Sequence, residues 1–179
     1  MNYYPSAVRV DCPHYDERIN DSDVSLLVIH NISLPPEEFG GDGIRGLFTG
    51  TLDISAHSFY AQLKGVKVSA HCVIYRDGQI EQYVPFSHRA WHAGLSSFQG
   101  VSRCNDYSIG IELEGTDTLA YTAAQYDALV ELTCFIRKAY PRITLGRIVG
   151  HNDIAPGRKT DPGIAFDWAY FRQQVNRNI

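Results

Sequence analysis

The fold is decided by one stretch, YSIGIELE at residues 107–114. Three aliphatic residues share one face of it, while a glycine, Glu112 and Glu114 share the other, and this alternation predicts a β-strand. Acidic residues are depleted in strands, so the second face has one of two roles. It is open to solvent, or it lines a cleft where one glutamate can accept a proton.

Three further stretches predict strands around this one. Residues 25–30 form a short apolar run that ends at His30. Residues 72–84 alternate on either side of Asp77-Gly78, which predicts a β-hairpin. Residues 146–150 are typical of a short strand that leads directly into His151.

Helices are predicted at three places. The clearest spans residues 122–139, where Thr122 and Gln125 form a capping box and a single polar stripe leaves the remaining surface to pack on a sheet. Residues 167–176 predict a C-terminal amphipathic helix, and residues 53–62 a short one.

The irregular order of these elements predicts the fold class. Residues 34–50 contain two prolines and five glycines, so we expect them to be mostly loop. Strands and helices alternate without a regular repeat and include a hairpin. We therefore expect one mixed α/β domain over residues 1–179, with a central mixed β-sheet flanked by α-helices.

Composition excludes several classes of protein. A formal net charge of −4 and the lack of a basic stripe argue against a nucleic-acid partner. No apolar run approaches the roughly 20 residues of a membrane span, and residues 1–5 do not look like a secretory signal. The four cysteines are widely spaced, so we expect reduced thiols in a cytoplasmic protein.

A second stretch, HNDIAPGRKTDPG at residues 151–163, carries most of the chemistry. It combines His151, Lys159 and Asp161 with turn-forming residues, and His30 ends a predicted strand elsewhere. A catalytic zinc needs three protein ligands and one open position, which this set could supply. Taken singly, however, a strand-end histidine is more often structural, the Asp-Pro-Gly segment is an ordinary turn and the lysine is a solvated one. Spacing alone cannot show that the two histidines converge.

The chain as a whole resembles the zinc-dependent N-acetylmuramoyl-L-alanine amidases, and within them the cytoplasmic enzymes that act on anhydro-muropeptides. Together with residues 151–163, the matching segments cover nearly the full length in one order: PHYD at 13–16, LVIHNISLPP at 27–36, EFGG at 38–41, LFTGT at 47–51, VSAHC at 68–72, RAWHAG at 89–94 and CNDYSIGIELEGTD at 104–117. The fold that the resemblance implies is a mixed sheet surrounded by helices, shared with peptidoglycan recognition proteins.

The resemblance also implies a role for each of the central residues. His30, His151 and Asp161 correspond to the ligands of one zinc ion per chain. Glu112 corresponds to the catalytic glutamate, a choice that the alternation alone left open. Lys159 corresponds to a second catalytic group, which stabilises the negative charge that develops on the substrate.

Substrate contacts are implied at three further positions. Asn31, Trp91 and Arg103 lie in segments similar to those that face the anhydro-sugar and the peptide. One departure is Lys67, where arginine is expected. Lysine keeps the charge but loses the planar fork, which puts a bidentate contact with a substrate carboxylate in doubt.

The implied reaction is hydrolysis of the amide that joins the lactyl group of 1,6-anhydro-N-acetylmuramic acid to L-alanine, during cell-wall recycling. We expect a monomer with a small-molecule substrate and neither nucleic acid nor membrane as a partner. Two alternatives are a muropeptide-binding module without activity and an exported amidase that trims the intact wall. The complete set of metal and catalytic residues favours catalysis, and the absence of a signal sequence favours the cytoplasmic enzyme.

Overall fold

The computed structural model describes residues 2–20 and 23–178. The strands are β1 Val8–Arg9, β2 Tyr15–Glu17, β3 Leu26–Ile32, β4 Cys72–Ile74, β5 Ile80–Gln82, β6 His88–Ala90, β7 Ser97–Phe98, β8 Val101–Ser102, β9 Ser108–Glu114 and β10 Ile148–Gly150. The α-helices are α1 Gly43–Thr49, α2 Ala123–Ala139, α3 His151–Ile154 and α4 Trp168–Arg177. Short 3-10 helices span Ser58–Leu63, Cys104–Asp106 and Leu145–Arg147.

Six strands form the central sheet in the order β1-β5-β4-β9-β3-β10. Strand β9, which contains the stretch that decides the fold, is parallel to both of its neighbours, β3 and β4. Strand β10 is parallel to β3, whereas β4 and β5 pair antiparallel as the predicted hairpin. The sheet is therefore mixed, and the predicted fold class is confirmed.

Both faces of β9 are covered. Ile109 and Ile111 pack against Leu129 of α2 and Phe171 of α4 in the larger part of the core. On the other face, Glu114 is only 2% exposed, and its carboxylate accepts hydrogen bonds from two backbone amides. The interpretation of this face as open to solvent is therefore wrong, because the backbone at Gly40 and Arg76 covers Glu114 and the ring of His92 lies against Gly110.

The segment 34–50, which was predicted to be mostly loop, contains a helix. Helix α1 occupies residues 43–49 within the segment 34–50. Ile44, Leu47 and Phe48 are buried at helical spacing, and their burial outweighs the low helix propensity of glycine. A Cβ at Gly43 would lie 2.2 Å from the carbonyl oxygen of Leu34, so this glycine permits a close backbone approach.

The other predicted helices differ less from the structure. Thr122 and Gln125 form the predicted capping box at the start of α2, with both reciprocal hydrogen bonds at 3.1 Å. Helix α4 forms with Asp167 as its N-cap. The short helix predicted at 53–62 begins five residues further along the chain, and it is a 3-10 helix over Ser58–Leu63.

Two predictions from composition can also be compared with the structure. In the part of the chain that the structure describes, all four cysteines are free thiols, three of them buried. None of the helices formed by residues 2–20 and 23–178 is both long and apolar enough to cross a membrane.

Candidate metal centre and catalytic pocket

Parallel pairing of β3 and β10 brings two histidines together from distant parts of the chain. His30 lies near the end of β3, and His151 follows β10 directly. Their Nδ1 atoms are 2.9 Å apart, and each lies 3.0 Å from Oδ2 of Asp161. Three potential ligand atoms therefore converge on one point, which spacing in the sequence could not show.

The donor set fits a zinc ion. Tetrahedral Zn–N and Zn–O bonds of about 2.0–2.1 Å hold ligand atoms about 3.3 Å apart, so the observed spacing needs to widen by only a few tenths of an ångström. The Nε2 of His151 is 3.1 Å from the carbonyl oxygen of Ala93, which can only accept a hydrogen bond. The proton of His151 therefore lies on Nε2, and the lone pair of Nδ1 is directed at the cluster.

Charge in the cluster also suits a cation. Burial lowers the pKa of His30 to about 4, so its imidazole is neutral near pH 7, as a metal ligand must be. Burial raises the pKa of Asp161, but hydrogen bonds with His151 and His30 outweigh this effect and hold it below the usual range. His30 as a neutral imidazole and Asp161 as a carboxylate together supply one negative charge.

The loop that carries Asp161 is held from two directions. The side-chain amide of Asn31 donates a hydrogen bond of 3.1 Å to the carbonyl oxygen of Pro162, and the Tyr121 hydroxyl donates another of 2.8 Å. The same amide of Asn31 donates to Oδ1 of Asp117 at 2.8 Å. Asn31 thus links the end of β3 to the loop immediately after the potential ligand.

Glu112 faces this cluster from the neighbouring strand. It lies opposite His30 in the register of β3 and β9, and it lines a cavity of about 220 Å³ together with His151 and Asp161. Its Oε2 is buried and has no hydrogen-bond partner among the described residues. Burial raises the pKa of Glu112 well above its usual value, and the charge of Asp161 raises it further.

Lys159 lines the same cavity and has an exposed side chain. Its positive charge lowers the pKa values of both Glu112 and His30, which places it within electrostatic reach of both residues. A cation at this position can stabilise negative charge that develops on a molecule bound in the cavity.

The three predicted substrate contacts do not all lie together. Asn31 and Trp91 line the cavity. Arg103 lies outside its lining, with a side chain that is 67% exposed and paired with Asp106 at 2.9 Å. Lys67 is also exposed, next to Val68 in the cavity wall.

One residue near the metal cluster was missed by sequence reasoning. The Nδ1 of His92 is 2.9 Å from Nε2 of His30, and its Nε2 is 3.0 Å from Oγ of Ser108. His92 belongs to the matching segment RAWHAG, but no spacing in the sequence relates it to His30, which lies 62 residues away.

Comparisons with known proteins place this geometry in a family. The family model described as N-acetylmuramoyl-L-alanine amidase matches residues 20–164. The 1,6-anhydro-N-acetylmuramyl-L-alanine amidase AmpD of Escherichia coli K12 is 61% identical over 171 residues, which cover 96% of this chain and 93% of that protein.

Solved structures agree. A crystal structure of a selenomethionine derivative of AmpD matches with a TM-score of 0.94 and 60% identity, over 97% of this chain and 96% of that one. The amidase AmiD of E. coli, in complex with anhydro-N-acetylmuramic acid-L-Ala-D-γ-Glu-L-Lys, matches with a TM-score of 0.64 and 32% identity, over 85% of this chain and 57% of that one. The chain therefore belongs to the N-acetylmuramoyl-L-alanine amidase family, and it is an amidohydrolase.

Proposed function

We propose that this chain is a zinc-dependent amidase that cleaves the bond between the lactyl group of 1,6-anhydro-N-acetylmuramic acid and L-alanine of the stem peptide. The observation that carries the proposal is the convergence of His30, His151 and Asp161 within 3.0 Å beside the buried carboxyl group of Glu112. In this proposal the three converging residues hold one zinc ion.

The substrate is inferred from relatives. The E. coli relative that is 61% identical is named for the 1,6-anhydro-N-acetylmuramyl-L-alanine bond. AmiD binds anhydro-N-acetylmuramic acid-L-Ala-D-γ-Glu-L-Lys as its substrate in the solved complex. We extend this substrate class to the present chain and, with it, a place in cytoplasmic cell-wall recycling.

Each catalytic residue has one task in the proposed reaction. Zinc, when bound, supplies Lewis acidity that activates water and polarises the scissile carbonyl group. Glu112 takes the proton from the attacking water through Oε2, which has no partner in the described part of the chain, and then delivers it to the departing amine of L-alanine. Lys159 stabilises the negative charge on the former carbonyl oxygen. Addition of one water thus yields one carboxylic acid and one free amine.

Substrate positioning is assigned to the walls of the cavity. The Trp91 ring stacks on His14, with centroids 6.2 Å apart and planes inclined by 20°, and this gives a firm apolar surface for the sugar. Asn31 lines the cavity and follows His30 directly in the chain. Arg103 would release its present partner, Asp106, and bind a carboxylate of the stem peptide instead.

Product analysis by mass spectrometry tests this function. We expect purified protein to convert anhydro-N-acetylmuramoyl tripeptide into two products, anhydro-N-acetylmuramic acid and a free peptide with L-alanine at its amino end. Intact cell-wall sacculi, incubated in parallel, should release little peptide. Tripeptide that is bound but recovered whole would indicate a binding module, and comparable release from sacculi would indicate a wall-trimming enzyme. Either outcome contradicts the proposal.

A further inference from the structure

We propose that His92 is a positioning residue, which holds His30 in the tautomer and orientation that bind the metal. The inference rests on the metal site proposed above. His92 is not part of the three-residue cluster whose ligand atoms converge. It contacts the opposite side of the His30 ring, at Nε2, with a nitrogen–nitrogen distance of 2.9 Å.

The direction of the hydrogen bonds decides the tautomer. For Nδ1 of His30 to offer a lone pair to zinc, its Nε2 must carry the proton and donate to Nδ1 of His92. A neutral His92 that accepts at Nδ1 carries its own proton on Nε2, from which it donates to Oγ of Ser108 at 3.0 Å. The reverse direction would put the proton of His30 on Nδ1 and block the metal. In the metal-binding arrangement, Oγ of Ser108 therefore accepts the hydrogen bond from His92 and completes the chain of bonds.

The backbone at His92 is fixed independently of its ring. Oδ1 of Asn105 accepts hydrogen bonds from the backbone amides of His92 at 3.2 Å and Ala93 at 2.8 Å. The carbonyl oxygen of Ala93 in turn orients His151 through its Nε2. One two-residue segment, pinned by Asn105, thus orients both histidines of the cluster, one through a side chain and one through a carbonyl group.

The ring of His92 also has a space reserved for it. It lies directly over Gly110 of β9, where an added Cβ would come within 2.5 Å of the imidazole ring. Glycine is unfavourable in a central strand, so its presence here indicates a close approach by another group. The space is closed on a further side by His71, whose ring centroid is 5.9 Å from that of His92.

The test is zinc affinity, measured by competition with a chromophoric chelator. His92→Phe keeps a planar ring but cannot accept a hydrogen bond, and we expect zinc to bind roughly 10- to 100-fold more weakly. His92→Asn keeps an acceptor near the position of Nδ1 and should recover most of that loss. The visible absorption of the cobalt-substituted protein should change in His92→Phe and return towards wild type in His92→Asn, which simple loosening of the fold would not produce.

Two further variants separate positioning from packing. His71→Asn alters a buried histidine that packs against His92 and whose Nδ1 accepts from the Gly110 amide, and it should weaken zinc binding much less than His92→Phe does. Ser108→Ala tests the same chain of hydrogen bonds if His92→Phe fails to fold, and it should weaken zinc binding several-fold.

Wild-type zinc affinity in folded His92→Phe would overturn the inference, as would an equal loss in His71→Asn. If the wild-type protein itself bound no zinc, the proposed metal site would fail, and the role of His92 would fail with it. The two failures are distinguishable because only the second appears in the wild-type titration.

Discussion

At the scale of single residues, Glu112 and Glu114 have the same sequence character but different surroundings. Glu114 is bound by two backbone amides, whereas Glu112 keeps a buried oxygen without a partner in the described part of the chain. A buried carboxyl group with a raised pKa and no fixed partner is suited to exchange protons with a substrate.

Replacement of that carboxyl group should separate catalysis from metal binding. We expect Glu112→Gln to lower kcat by roughly two to four orders of magnitude, because general acid–base catalysis contributes about that much. Zinc content, measured by atomic absorption, should stay at one per chain. Glu114→Gln is the matched control and should change kcat little in folded protein. A Glu112→Gln enzyme with near-normal turnover would rule out the role given to Glu112.

Only some of the residues of the candidate site could be predicted from the sequence. Alternation placed both glutamates on one face, but the choice between them depends on register, since Glu112 lies opposite His30 and Glu114 opposite Ile32. The family resemblance supplied that choice. His92 could not be found from spacing because its role depends on ring contacts with residues distant in sequence.

At the scale of elements, the capping box of α2 offers a clean stability prediction. Thr122→Ala removes the acceptor for the Gln125 amide and also the hydroxyl that donates to the Arg76 carbonyl oxygen at 2.8 Å. We expect unfolding in urea to show a loss of about 0.5–2 kcal/mol, with zinc affinity unchanged. Thr122→Ser keeps the hydroxyl and should lose much less. Equal losses in the two variants would show that the cap contributes nothing.

Elements with strong local signals were predictable, and those formed by tertiary contacts were not. The capping box and the hairpin turn are encoded by neighbouring residues, so both were found. Helix α1 was not predicted from the sequence, because its glycines are typical of a loop. In the structure they allow other segments to approach the helix closely, as Leu34 approaches Gly43. A loop prediction from glycine content cannot distinguish such contacts from flexibility.

At the scale of the whole molecule, the parallel order of β9, β3 and β10 creates the candidate site. Parallel strands present their carboxyl ends at one edge of the sheet, and in this way His30 and His151 meet across 121 residues of sequence. The sequence contained both histidines and the loop with Asp161. Their convergence follows from strand order, which no local pattern encodes.

The central claim is that His30, His151 and Asp161 bind the zinc ion that the reaction requires. The most direct measurement is cleavage of anhydro-N-acetylmuramoyl tripeptide by protein stripped with a chelator, before and after titration with zinc. We expect the stripped protein to be inactive and activity to return fully at one zinc per chain. Asp161→Ala should not recover at that ratio. Full activity in protein with no measurable metal would contradict the account.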